Sequence, residues 1–381
     1  MNFDLDEEQL MLVDMARQFA ATRVAPGAAE RDETSTFPSE LILPLAEQGF
    51  MGMLVPEEHG GSAMGYVNYA LALAEIARGC ASTAVTMAVN NLTASAVATY
   101  ASDELKAEVL PDLCLARGGK VGAFALSEPH CGSDAAALKT RAERVGDDYI
   151  LNGSKQWITN GAFASWILVM ARTGEGPKGI SAFVVPGDAD GLIVGPAEKK
   201  MGLKASNTVS LTLENLRIPA RYLVGDEGIG FAIAMNALDG GRIGIGAQSL
   251  GIGRAALREA ASYMEERSAF GKPLSRHQAL QFMIADMGTD LEATRLFMLK
   301  AASLRDAGLP MSQIASMCKV FASESCCRAV DAALQIHGGY GYVKEFAIER
   351  LYRDARVTRI YEGTSEIQRV VISRNLLKGM S

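Results

Sequence analysis

Apolar and polar positions divide the chain into three textures. Up to about residue 117 they keep helical spacing. Leu10, Val13, Arg17 and Ala20 fall on one helix face after the acidic opening Asp4–Glu8, and residues 66–99 form an Ala-rich stretch carrying Leu73, Ile76, Val85, Val89 and Leu92. Ser102-Asp103-Glu104 reads as a further helix entry, with a capping hydroxyl and acids in the first turn, and that helix ends at Pro111 or soon after it. Gly118-Gly119 then punctuates the chain.

From about 120 to 228 the runs become short: Val121–Leu126, Tyr149–Leu151, Trp166–Ala171, Ile180–Val185 and Val209–Leu213. Turn-forming clusters such as Gly174-Glu175-Gly176-Pro177 separate them, and Pro219 and Gly225-Asp226-Glu227-Gly228 mark the exit. This predicts strands. The remainder returns to helical spacing in long pieces, roughly 229–266, 275–306, 311–337, 344–355 and 364–378. The pattern predicts a mostly helical α+β protein. An N-terminal helical domain covers 1–117, a middle β-domain (small barrel or sandwich) covers 118–228, and a C-terminal helical bundle covers 229–381.

With 381 residues, 49% hydrophobic and 21% charged, the chain can bury a large globular core. A net charge of -7 argues against non-specific nucleic-acid binding, so an anionic ligand needs a local basic site. The acidic start Met1–Glu8 is neither a signal peptide nor an Arg-rich transit peptide, and no run is apolar enough to span a bilayer. The expectation is a cytoplasmic protein, or a mitochondrial matrix protein whose transit peptide has been removed. The six cysteines form no C-x-x-C pair, and the four histidines are scattered. They point to small buried hydrophobes and to no metal site.

Gly251-Ile252-Gly253-Arg254-Ala255-Ala256 matches a dinucleotide fingerprint but lies inside a helical stretch with more helix after it. A phosphate-binding turn needs a preceding strand, so these glycines read as sites of close helix packing. Two polar-aromatic segments of the β-domain, Phe124 to Asp134 and Asn152 to Gly161, set hydroxyls and Trp157 at strand ends. They read either as ring-binding edges or as plain polar turns. Arg267 ends a long helix and reads as a phosphate ligand or a helix cap. Gln335-Ile336-His337-Gly338-Gly339-Tyr340-Gly341 ends another, where the glycines permit close approach of a pyrophosphate or stop the helix; His337 is packed or a ligand. Asp239-Gly240-Gly241-Arg242 sets two glycines inside a helix at about 1 kcal/mol each, for close approach of a ligand or for a kink. In Ile360-Tyr361-Glu362-Gly363-Thr364-Ser365, an acid sits between bulky apolar residues and a helix entry. Glu362 is therefore either a desolvated general base or an exposed helix-entry glutamate.

Taken in this order, with Gly60-Gly61, Ala125-Leu126-Ser127-Glu128-Pro129, Trp157-Ile158-Thr159-Asn160-Gly161, Lys200 to Ser206, Arg267 to Gly271, Gln335 to Gly339 and Tyr361 to Thr364, the chain resembles the flavin-dependent acyl-CoA dehydrogenases, and among them the short-chain (butyryl-CoA) type. The match runs over essentially the whole length. The resemblance implies an N-terminal helical domain, a middle β-barrel, a C-terminal four-helix bundle and a homotetramer with one FAD per subunit. It makes Glu362 the base that takes the Cα proton of an acyl thioester while Cβ gives a hydride to flavin N5. The thioester oxygen would be held by the backbone N–H of that base and a flavin hydroxyl. It assigns Phe124, Leu126, Ser127, Trp157 and Thr159 to the flavin ring. Arg267, Phe270, Gln278, Gln335, Gly338 and Gly339 fall to the adenine and pyrophosphate, some across a subunit interface. Thr364 and Glu366 are further flavin contacts, and Ser133, Asp239, Arg242 and Gly363 contact the substrate. Relatives that carry their base on the earlier helix have it where this chain has Gly241. The implied electron acceptor is an electron-transfer flavoprotein; an oxidase or a non-catalytic acyl-CoA-binding protein is the rival. Asn90-Asn91 near the expected base of the acyl pocket fits the short-chain type, with short branched or alicyclic acyl groups as the alternative. His130-Cys131 departs from the small residues usual near the coenzyme entrance.

Overall fold

The computed structural model describes residues 4–378. The N-terminal helices are α1 (Glu7–Phe19), α2 (Ala28–Thr34), α3 (Ser39–Glu47), α4 (Gly65–Gly79), α5 (Ala81–Tyr100) and α6 (Asp103–Cys114). Asp6 caps α1 reciprocally: its carboxylate accepts from Gln9 N–H at 2.8 Å while the Gln9 side chain accepts from Asp6 N–H at 3.1 Å. The buried face of α1 is Leu12, Val13, Ala16 and Phe19, whereas Leu10 is 51% exposed. The periodic reading thus found the helix; of its four positions Val13 and Ala20 turn inward, while Leu10 and Arg17 are exposed. The Ala-rich stretch is two helices, broken where Cys80 is extended (φ -159°, ψ 115°). The expected cap of α6 is present, Ser102 accepting from Leu105 N–H at 3.2 Å.

Eight strands follow: β1 (Val121–Ala125), β2 (Arg141–Val145), β3 (Asp148–Thr159), β4 (Ala164–Arg172), β5 (Ile180–Pro186), β6 (Leu192–Val194), β7 (Thr208–Pro219) and β8 (Leu223–Val224). Their hydrogen-bonded order is β6-β7-β3-β2-β4-β5-β8, with β1 parallel to β4. The strands β4 and β5 are apolar along most of their length and buried on both faces. Sequence reasoning missed β2, β6 and β8 and shortened β3 and β7. Their alternation is masked by charged outward residues, as in Arg141-Ala142-Glu143-Arg144. One irregularity turns a predicted site residue outward. The β3–β7 register shifts between Lys155 and Ile158, where Trp157 takes a left-handed φ of 63° and turns its ring outward, 62% exposed.

The C-terminal part is α7 (Gly230–Glu266), a two-residue hairpin β9 (Ser268–Ala269) and β10 (Lys272–Pro273), then α8 (Gln278–Asp306), α9 (Ser312–His337), α10 (Ala347–Arg356) and α11 (Ser365–Lys378). The glycines of α7 work as packing points. A Cβ on Gly251 would lie 2.3 Å from the Ala74 carbonyl of α4, and one on Gly253 would lie 2.4 Å from Leu291 of α8. This closeness explains the glycines of the dinucleotide-like motif, which lies wholly within α7. One apolar core fills the sheet domain, and two more join α7 to the N-terminal helices and to α9 and α10. Among the described residues no helix is long and apolar enough to cross a membrane.

Candidate active site

Glu362 sits on the short link between α10 and α11, which residues 357–359 lead into as a single 3-10 turn. Its backbone is left-handed (φ 54°), as is that of Gly363 (φ 86°), a strained pairing for a β-carbon-bearing residue. The turn is pinned from both sides. Lys319 Nζ of α9 donates to the Gly363 carbonyl at 2.7 Å, and Gln368 Nε2 donates to the Gly363 and Glu362 carbonyls at 2.9 and 3.2 Å. The Glu362 N–H has no acceptor among the described residues.

The carboxylate points at α7. A Cβ built on Gly241 would lie 2.4 Å from Glu362 Oε2, and 3.1 Å from Leu92 of α5. Oε2 is buried and has no hydrogen-bond partner. Burial pushes the Glu362 carboxyl up to about 7, against the opposing pull of Lys319 and Arg242. Burial likewise pushes Lys319 down to about 8, with Glu362 acting to raise it and Arg242 to lower it further. Tyr361 is half-buried beside the base, donates to Gln248 Oε1, and has its phenol pushed up by desolvation and by Glu362. A narrow cavity adjoins this seat, walled by Tyr66, Tyr69, Leu92, Ser95 and Gly241. Of the two readings of Glu362, the desolvated carboxyl is the one the fold builds. Thr364 immediately precedes α11, its Oγ1 accepting from Ile367 N–H at 3.3 Å, and Glu366 is exposed in the first turn of the helix.

A second grouping forms at the sheet edge. Phe124 lies one residue before the end of β1, with Leu126 and Ser127 beyond the strand, and Trp157 and Thr159 lie at the end of β3. Gln156 N–H donates to the Ser127 carbonyl at 2.9 Å and Lys155 Nζ donates to the Leu126 carbonyl at 3.2 Å, so the two segments lie side by side. Behind them Glu128 and Lys155, both buried, form an ion pair at 2.7 Å. Glu128 also accepts from the Lys139 and Thr140 N–H groups. Burial acts to raise the Glu128 carboxyl, but Lys155 and these donors hold it below the usual range. His130 and Cys131 come within 4.8 Å of Glu128 through their ligating atoms, yet that carboxylate is already committed to Lys155 and backbone donors. Cys131 is buried, so only His130 shapes the surface near exposed Ser133.

A third grouping lies on the helical bundle. A cleft of about 760 Å³ is lined by Tyr263, Arg267, His337, Gly338, Gly339 and Tyr340. Arg267 stands over the Tyr340 ring at 5.7 Å and pairs with no carboxylate among the described residues. Gly338 has φ 58°, and a side chain on either glycine would meet open space. Phe270 (95% exposed), Gln278 and Gln335 are on the surface. His337 is packed, stacked on Tyr263 at 4.4 Å with Nδ1 2.7 Å from the Ala333 carbonyl. Asp239 and Arg242 pair one helical turn apart; Arg242 is buried and reaches Ser316 Oγ at 3.2 Å, and Asp239 accepts from Ser312 at 3.0 Å. Asn90 and Asn91 are wholly buried and bonded to the backbone of residues 50–53, Met87, Leu113 and Gly122. They brace the fold, and Leu92 and Ser95 of the same helix face the cavity instead.

The structure thus offers a carboxyl with a buried, unpartnered oxygen facing α7 and α5, an exposed aromatic ring at a strand end of the sheet, and a glycine-lined cleft on the helical bundle. Family models for the N-terminal, middle and C-terminal domains of acyl-CoA dehydrogenases match residues 6–117, 123–216 and 228–377. The chain is 48% identical over 379 residues to the mitochondrial short-chain specific acyl-CoA dehydrogenase of Bos taurus, covering 98% of this chain and 91% of that one. The butyryl-CoA dehydrogenase of Megasphaera elsdenii superposes with TM-score 0.96 at 40% identity, over 99% and 100% of the chains. A chain solved in work on the electron transferring flavoprotein of Acidaminococcus fermentans and flavin-based electron bifurcation superposes with TM-score 0.97 at 43% identity, over 99% and 100%. The chain belongs to the acyl-CoA dehydrogenase family. It is an FAD-dependent oxidoreductase of that family. The residues fit such a cofactor: an outward Trp157 ring at a register shift, a glycine-lined cleft and an arginine free of carboxylates suit an aromatic ring and a pyrophosphate.

Proposed function

We propose that the chain oxidises short straight acyl-CoA thioesters, butyryl-CoA and near homologues, to the trans-2-enoyl-CoA, with Glu362 removing the α-proton. The observation that carries this reading is the Glu362 carboxyl itself, with one oxygen buried, unpartnered and aimed at Gly241, and an acidity near neutral. A base in that state accepts a proton at physiological pH without first shedding water or breaking a hydrogen bond. The Cα–H bond breaks, and its proton ends on a Glu362 oxygen. The unpaired N–H of Glu362 is a donor available to the thioester oxygen as charge builds there. Bound FAD supplies the acceptor for the β-hydride and with it both electrons. Phe124, Leu126, Ser127, Trp157, Thr159, Thr364 and Glu366 are assigned to the flavin, and Ser133, Asp239, Arg242 and Gly363 to the substrate. The similarity to short-chain specific and butyryl-CoA enzymes supports the chain length.

Arg267, Phe270, Gln278, Gln335, Gly338 and Gly339 are assigned to the adenine and pyrophosphate of FAD in a homotetramer. Their exposure, with that of Tyr342 at 87%, leaves an aromatic surface that association would cover. Electrons leave to an electron-transfer flavoprotein, a reading supported by the likeness to a chain solved in work on such a protein. The test is anaerobic titration of the FAD-loaded enzyme with butyryl-CoA, following flavin bleaching in wild type and E362Q. Wild type should bleach, and E362Q should keep its flavin and bind ligand without bleaching. Absence of bleaching in the wild type would send the substrate assignment to branched or alicyclic thioesters.

A further inference from the structure

Lys319 is a wholly buried lysine that the proton transfer described above does not use. On α9 it belongs to the inward stripe of Ala315, Ala322 and Cys326. An ammonium placed there loses its water and needs an acceptor or an opposite charge. Its one hydrogen bond among the described residues is to the Gly363 carbonyl, next to the residue whose carboxyl faces Gly241. The left-handed conformation of Glu362 and Gly363 persists only if its surroundings over-determine it. Lys319 from one side and Gln368 from the other provide that constraint.

Charged and titratable neighbours reach the Glu362 carboxyl from each packed element. Tyr69 of α4 and the adjacent Tyr361 feel its charge. Arg242 of α7 and Lys319 of α9 favour the ionised form, while α5 contributes only Leu92. Glu324 and Glu366 act on Lys319 in turn. Arg242 is engaged with Asp239 and Ser316, so Lys319 is the cation in this set with no carboxylate bonded to it.

We propose that Lys319 is a positioning residue for the α-proton transfer: through the Gly363 carbonyl it locks the turn that aims Glu362, and it holds a buried ammonium next to that base. The inference rests on Glu362 being the base. The test is the pH dependence of anaerobic flavin bleaching by butyryl-CoA in FAD-loaded wild type, K319M, K319Q and E362Q. K319M removes both donor and charge. It should slow bleaching by about tenfold to a hundredfold at saturating substrate, and move the acid midpoint upward by about one pH unit. Substrate dissociation constants should change far less. K319Q keeps an N–H donor and loses the charge, so it should show the same upward midpoint with a smaller loss of rate. A purely structural lysine would lower flavin content or thermal midpoint without moving the pH midpoint. If a folded, FAD-loaded K319M keeps the wild-type midpoint and rate, the proposal is overturned. If K319M does not fold, a wild-type midpoint in K319Q overturns it equally. Bleaching by E362Q at the wild-type rate would instead remove the base assignment, a separate failure.

Discussion

A methyl group at position 241 tests the seat of the base with little disturbance elsewhere. In Gly241→Ala the new Cβ would lie 2.4 Å from Glu362 Oε2 and 3.1 Å from Leu92 Cδ1. Ordinary contact begins near 3.4 Å, so the carboxylate oxygen must retreat by about 1 Å. Glu362 moves cheaply because the clashing atom ends a flexible side chain, and the alanine itself favours the helix by about 1 kcal/mol. Stability should therefore be unchanged or slightly raised. The chemistry is less tolerant, since a misplacement of about 1 Å costs roughly a hundredfold in rate, or about 2.7 kcal/mol of barrier. Stopped-flow anaerobic bleaching at saturating butyryl-CoA should fall about a hundredfold. Flavin content and thermal midpoint should be retained. A G241A enzyme that bleaches within about threefold of wild type would refute the claim that Gly241 exists to seat this carboxyl.

The bleaching rate of the wild type should rise with pH through about 7, where Glu362 ionises, and level off above it; a flat profile between pH 6 and 8 would contradict the raised acidity constant. The same carboxyl makes stability fall with pH. Its folded value lies above the ordinary 4.5, so the stabilisation is full below 4.5 and is lost as pH rises through about 7. E362Q should consequently have the higher thermal midpoint at pH 8, with the gap closing toward pH 4.5. Lys155→Met leaves Glu128 buried without its cation and should cost about 3–5 kcal/mol in denaturant unfolding, largely recovered in the E128Q/K155M double variant. Asn90→Ala removes bonds to Met51, Leu113 and Gly122 and should cost about 3 kcal/mol by the same measurement, with the acyl preference unchanged.

Period and punctuation made most helices legible, because each long helix carries an apolar stripe and several end on glycine or an extended residue. The short strands were harder. Arg141–Val145 alternates, but its outward positions are charged and its one firm inward residue is Ala142, too small to register as a hydrophobic run. Glu362 was visible as a candidate because its apolar flank is local in sequence. Its surroundings were not, since Gly241, Leu92, Arg242 and Lys319 come from three other helices. Asn90 and Asn91 show the opposite error. Polar side chains at an expected pocket wall invite a functional reading, yet all their bonds run to backbone groups. One signal for Lys319 was available: a lysine in register with Ala315, Ala322 and Cys326 is a charge where a small apolar residue belongs.

That misplaced charge also explains why a strained turn can carry the base. A carboxyl on a regular helix would be aimed by the helix itself, as it would be at position 241. On a two-residue left-handed link it has no such support, and its aim depends on groups that fix the link's carbonyls. Lys319 and Gln368 are both fully buried, so water cannot compete for those carbonyls and the donors have little else to bind. The arrangement places rigidity in α9 and α11 and leaves the carboxylate itself without a hydrogen-bond partner. Holding the backbone tightly while leaving the acid unpaired keeps its basicity high, because a donor on Oε2 would stabilise the charged form and weaken it as a base.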